Sequence, residues 1–184
     1  IVLLVRALIG PGEALLNAWP SFVCYRIAAR AQGCGEITVP LNADLGYDLE
    51  ALAKAAQDPR AKLVFLANPN NPTGRAFSQA DLTAFFASVP KDLVVVLDEA
   101  YAEYVRDPSY PRGIEMVQQR PRTVVLRTFS KVYGLAGLRV GYALCDPSIA
   151  DLLNRVRQPF NVNNLALVAA IAALEGPQDC VAEI

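Results

Sequence analysis

Histidine is missing altogether from these 184 residues, and that gap removes histidine-dependent triads and histidine-ligated zinc from the chemistry the chain can supply. Lysine and the carboxylates are left as its acid–base groups. An excess of one charge is missing too. The chain carries 17 basic and 18 acidic side chains, for a net charge of −1, and no basic run is interleaved with aromatics, so no nucleic-acid partner is expected. No apolar run reaches membrane-spanning length and no signal-peptide pattern opens the sequence, so no membrane partner is expected either. Cysteine is sparse. Cys24, Cys34, Cys145 and Cys180 stand apart, with no close pair at metal or redox spacing, which fits reduced thiols in a cytoplasm and no metal site.

What is present is apolar and periodic. A hydrophobic share of 53% argues against disorder and allows a sizeable core in one ordinary domain. The start at Ile1 rather than Met, already inside an apolar helical pattern, reads as a piece of something longer. Strands are expected at 13–20, 36–41, 62–67, 93–97, 123–126 and 139–145. Helices are expected at 1–9, 21–32 with Ser21 as its cap, 48–55, 78–89, 113–119, 147–157 and 163–174. Strands that alternate with helices, and that are mostly uninterrupted apolar runs, imply a three-layer αβα domain around a largely parallel sheet. In such sheets ligands bind beyond the carboxyl ends of the strands.

Three strands deliver unusual residues at that edge. The 62–67 run leads into Asn68-Pro69-Asn70-Asn71-Pro72-Thr73-Gly74, and the 93–97 run ends at Asp98-Glu99. The 123–126 run leads into Thr128-Phe129-Ser130-Lys131-Val132-Tyr133-Gly134, with Arg139 eight residues past the lysine. A lone lysine on a glycine-containing loop is ordinarily a solvated surface residue, an Asn-Pro unit ordinarily a turn, and a strand-end Asp ordinarily a carboxylate satisfied by backbone N–H groups. Their common placement at one edge makes a single shared site the economical reading. A lysine in a partly apolar site can act as a nucleophile toward a carbonyl. Hydroxyls and a guanidinium beside it suit a phosphate.

The string from Ser130 to Gly141, Ser-Lys-Val-Tyr-Gly-Leu-Ala-Gly-Leu-Arg-Val-Gly, resembles the cofactor-lysine segment of the class I/II aminotransferases, which use pyridoxal 5'-phosphate. Asp98-Glu99-Ala100-Tyr101 and Asn71-Pro72-Thr73-Gly74 resemble two further motifs of that family. The resemblance implies a catalytic role for Lys131, which holds the cofactor and shuttles a proton. Asp98 becomes the counter-ion of the cofactor's ring nitrogen, while Asn71 and Tyr101 bond its phenolic oxygen. Phe22 stacks on its ring, and Thr128, Ser130 and Arg139 contact its phosphate. Pro72 is expected to follow a cis bond, Asn161 to border the substrate pocket, and Tyr25 to pack in the core.

Within the family the likeness is nearest to the histidinol-phosphate aminotransferases. That implies transfer of an amino group between glutamate and imidazole-acetol phosphate by a homodimer, with residues 1–157 belonging to the large domain and 158–184 leading to a small one. The resemblance further implies that the chain by itself is inactive, since the family's sites draw on residues beyond it. An aromatic aminotransferase or a threonine-phosphate decarboxylase would share these motifs, as would an aminotransferase-like sensor domain in a transcription regulator.

Overall fold

Consecutive apolar residues in this chain become strands buried on both faces, and the helices between them supply the two covering layers. The computed structural model describes residues 1–176; Cys180 and the end of the 158–184 segment lie outside the described residues. The elements run α1 (Val2–Leu8), β1 (Ala14–Trp19), α2 (Cys24–Ala31), β2 (Gly35–Pro40), α3 (Leu49–Ala55), β3 (Ala61–Ala67) and α4 (Gln79–Ser88). They continue with β4 (Val94–Asp98), α5 (Gly113–Gln119), β5 (Thr123–Thr128), β6 (Gly141–Cys145), α6 (Pro147–Val156) and α7 (Asn164–Glu175). The sheet order is β2-β1-β3-β4-β5-β6. β1 to β5 pair in parallel and β6 closes the edge antiparallel to β5.

Because strand side chains alternate, β1, β3, β4 and β5 feed two cores. Leu16, Val64, Leu66, Val95, Leu97 and Val125 face α3, α4 and α5, packing on Leu52, Leu82, Phe85 and Met116. Leu15, Leu63, Phe65, Val94, Val96 and Val124 face the opposite layer, against Leu4 and Val5 of α1, Tyr25 of α2 and Ile149 of α6. A third cluster joins Phe129 and Val140 to Ala166 and Ala170 of α7, which seats α7 against the loop that follows β5.

Local capping chemistry matches four helix starts. Asp48 accepts from the Ala51 N–H at 2.8 Å, Ser78 and Asp81 form a capping box, Asp146 precedes Pro147 at the first helical turn, and Asn163 accepts from the Ala166 N–H at 2.8 Å. The expected cap at Ser21 does not form. α2 begins at Cys24 with no side-chain cap, and Ser21 is drawn instead into a buried network described below. Arg139 also lies outside the final strand, in the left-handed region at φ 57°, and β6 starts two residues later. No helix among the described residues is long and apolar enough to cross a membrane.

Gly113 marks a close approach. The Glu99 carboxylate is 1% exposed and packs where a Cβ at 113 would stand, with the Glu99 Cδ 2.8 Å and Val125 Cγ2 2.9 Å from that position. Glu99 Oε2 faces Arg127 Nη2 at 2.5 Å. Opposite charges at that distance make it a buried ion pair. Arg127 Nη1 also donates to Glu103 Oε1 at 2.9 Å. Gly113→Ala is therefore expected to overpack a charged pair that cannot retreat to solvent, costing about 2 kcal/mol. Thermal unfolding of the full-length protein checks this; an unchanged midpoint would show that the loop before α5 yields freely.

Candidate active site

The carboxyl ends of β1, β3, β4 and β5 lie along one edge of the sheet, which includes the β1/β3 point where the strand order reverses and where open α/β sheets bind ligands. One pocket there is walled by Phe22, Asn71, Asp98, Tyr101 and Lys131, with Tyr25 behind them. The lysine and the carboxylate thus share a cavity. A wider cleft of about 910 Å³ opens between α3 and α4, but none of these strand-end residues reaches it.

Asp98 ends β4 and is 9% exposed. Its Oδ2 accepts from the Tyr25 hydroxyl at 2.7 Å and its Oδ1 from the Ala100 N–H at 3.3 Å. Burial pushes its carboxyl above the usual range, and these two donors pull it back in part. Tyr25 is fully buried, its ring stacked on Phe65 at 4.4 Å between centroids and meeting Phe22 edge-on at 5.6 Å. Expected only as packing, Tyr25 turns out to have a polar end aimed at the site. No local signal announces this, because its partner lies 73 residues away.

Lys131 stands at the exposed rim of the pocket rather than in an apolar enclosure, with Nζ 5.0 Å from the centre of the Tyr101 ring. Its backbone is held between Phe129 and Val132, both buried, and its carbonyl accepts from the Gly134 N–H at 2.9 Å. Gly134 has φ 66°, a conformation that suits glycine. Thr128, the last residue of β5, and Ser130 and Arg139 on the segment after it lie outside the pocket wall. Thr128 Oγ1 accepts from the Ser130 N–H at 3.1 Å, and the exposed Arg139 guanidinium folds back to donate to the Ala136 carbonyl at 2.7 Å. Asn161 is exposed, outside the pocket, and accepts from Arg157 Nη1 at 3.4 Å.

The Asn71-Pro72 peptide is cis, as are Trp19-Pro20 and Asn68-Pro69. The loop that carries Asn71 is fastened by neighbours the sequence did not single out. Asn70 Oδ1 accepts from Ser21 Oγ at 2.9 Å and from the Tyr47 hydroxyl at 3.3 Å, while its Nδ2 donates to the Pro20 carbonyl at 3.2 Å and to Thr73 Oγ1 at 3.1 Å. The Ala67 N–H donates to the Tyr47 hydroxyl at 3.0 Å. Asn68 pairs with the Phe77 backbone in both directions, at 3.2 and 3.0 Å. Buried and fully partnered, this network ties the turn after β1 to the turn after β3.

The family model for aminotransferase class I and II matches residues 1–184. A histidinol-phosphate aminotransferase of Anaeromyxobacter sp. (strain Fw109-5) is 50% identical over 174 residues, covering 95% of this chain and 48% of that protein. An aromatic amino acid aminotransferase of Streptomyces coelicolor is 44% identical over 181 residues, covering 98% of this chain and 50% of that protein. The solved histidinol-phosphate aminotransferase of Sinorhizobium meliloti, in complex with pyridoxal-5'-phosphate, superposes with a TM-score of 0.91 at 35% identity over 99% of this chain and 49% of that one. The chain spans about half the length of the curated relatives it matches. With its mostly parallel sheet and these likenesses, the chain belongs to the class I and II aminotransferases.

Proposed function

We propose that this chain forms the cofactor-binding half of a pyridoxal 5'-phosphate-dependent aminotransferase, and that the whole protein moves an amino group between glutamate and imidazole-acetol phosphate. The observation that carries the reading is the single pocket walled by Lys131 and Asp98, with an aromatic ring, Phe22, and two hydrogen-bonding groups, Asn71 and Tyr101, in the same wall. These residues fit the cofactor. A buried carboxylate with a donor on each oxygen and its pKa raised by burial is offset by a cationic ring nitrogen, and the lysine needed to hold an aldehyde stands across the same cavity.

When bound, the cofactor supplies an electron sink for negative charge developing at the substrate carbon. The protein's own residues do the rest. Asp98, already held by Tyr25 and the Ala100 N–H, would pair with the ring nitrogen and keep a proton on it. Asn71 and Tyr101 would offer donors to the phenolic oxygen and Phe22 an aromatic wall for the ring, while Thr128, Ser130 and Arg139, outside that wall, would be the residues to hold the phosphate. Lys131 Nζ, in the same pocket wall, would hold the cofactor's aldehyde carbon and, as a free amine, would carry the proton to and from the substrate carbon.

A second reading, transfer to aromatic substrates, is favoured by the relative of that name at 44% identity. The two are separated by half-reactions of the full-length protein with histidinol phosphate and with phenylalanine, followed by the visible absorbance of the cofactor. Histidinol phosphate is expected to win by at least about tenfold in kcat/KM; a preference for phenylalanine would reverse the substrate assignment, and no reaction with either would count against both. The same likeness extends the proposal to a cytoplasmic homodimer, which the mass of the full-length protein in solution checks.

A further inference from the structure

Asp98 is the residue the proposed chemistry most needs ionised, and it sits where ionisation is least favourable, at 9% exposure with apolar β4 behind it. Of its two donors, the Ala100 N–H is long at 3.3 Å, while the Tyr25 hydroxyl is at 2.7 Å. Tyr25 cannot swing away. It is 0% exposed, its ring lies 5° from parallel with Phe65 of β3, and Phe22 meets its edge at 85°. Its own proton is secure, since burial first and the neighbouring Asp98 second push the phenol well above its ordinary range. A phenol that keeps its proton beside a carboxylate can only donate. The bond therefore has one polarity, and it stabilises Asp98 in its charged form.

We propose that Tyr25 is a positioning residue for this site: its hydroxyl orients the Asp98 carboxylate and keeps it ionised, so that Asp98 can hold a proton on the cofactor's ring nitrogen. The inference rests on the cofactor reading given above. Tyr25 touches no reacting atom and works through Asp98. Phe22, the ring-covering wall, is packed against the same tyrosine, so one buried side chain sets both the carboxylate and the aromatic wall.

The test uses Tyr25→Phe in the full-length protein, which removes one oxygen and keeps the ring on Phe65. Cofactor-free protein is titrated with pyridoxal 5'-phosphate. Losing a hydrogen bond to a charged group is expected to weaken binding about tenfold. The pH at which the visible band of the bound cofactor titrates is expected to rise, because a ring carrying less positive charge leaves the nitrogen joined to it more basic. In an Asp98→Ala background the same Tyr25→Phe change is expected to alter affinity by less than about twofold, since the partner is gone. Unchanged affinity and an unchanged titration in Tyr25→Phe overturn the inference, and so does equal weakening in both backgrounds, which is the mark of lost packing. If Tyr25→Phe does not fold, Tyr25→Met repeats the comparison without a hydroxyl. Failure of the unaltered protein to bind the cofactor would instead strike down the cofactor reading, and this inference with it.

Discussion

Replacing Lys131 with alanine is expected to lower turnover in the full-length protein by about four orders of magnitude and to remove the visible absorbance of the bound cofactor. Both effects come from one atom. Nζ is the only amine that the described residues bring to the pocket wall, and it carries both the attachment and the proton transfer in the proposed reaction. The fold should not notice the change. Phe129 and Val132 anchor the loop on either side, the Lys131 side chain is exposed, and its carbonyl keeps the Gly134 N–H. Stability within about 0.5 kcal/mol of the unaltered protein is expected, as for an exposed substitution. Lys131→Arg keeps the positive charge but gives an equally silent protein, because a guanidinium does not deprotonate. Spectra and single-turnover rates decide it; an alanine variant that keeps both absorbance and turnover removes Lys131 from the mechanism.

Asp98→Asn is expected to separate activity from stability. Loss of the carboxylate should cut turnover by about 10²- to 10³-fold, the scale on which removing one preorganised electrostatic partner acts. Cofactor-free protein should become more stable at neutral pH. Burial raises the Asp98 carboxyl above its unfolded value, so between the two values the native state holds a proton that the unfolded chain has released. Its contribution to stability is thus fully present below the unfolded pKa and is lost as pH rises through the folded one. At neutral pH the charge is a net cost, one that asparagine avoids while still accepting from Tyr25. Thermal unfolding from pH 3 to pH 8 is the measurement. The midpoint of Asp98→Asn should exceed that of the unaltered protein at pH 7 and converge with it in acid; a lower midpoint at pH 7 would mean that Tyr25 and Ala100 more than offset the burial.

Much of this site could be read from the linear chain. Leu93 to Leu97 are apolar without interruption, which places Asp98 at the end of a strand buried on both sides, and the structure puts it there. Asn71 and Lys131 follow two comparable runs, and because β3, β4 and β5 are parallel neighbours, all three residues emerge at one edge. Ser21 shows where local reasoning stops. Its position before a helical stretch suits a cap, but the hydroxyl finds better-placed partners in Tyr47, 26 residues on, and Asn70, 49 residues on. A buried polar group satisfies itself with whatever the fold brings near, and sequence spacing carries no information about that.

The sequence by itself determined the strand and helix pattern, the burial of the sheet on two faces and the identity of the groups at the strand ends, because side-chain period, capping and turn chemistry act over a few residues. Tertiary structure alone decided that the hydroxyl of Tyr25 meets Asp98, that Asn70 rather than Asn71 fastens the loop, that Glu99 lies buried against Gly113 and Arg127, and that β6 runs antiparallel. Each depends on which strands become neighbours, and strand order is set by how the whole chain buries its apolar surface rather than by any stretch of it.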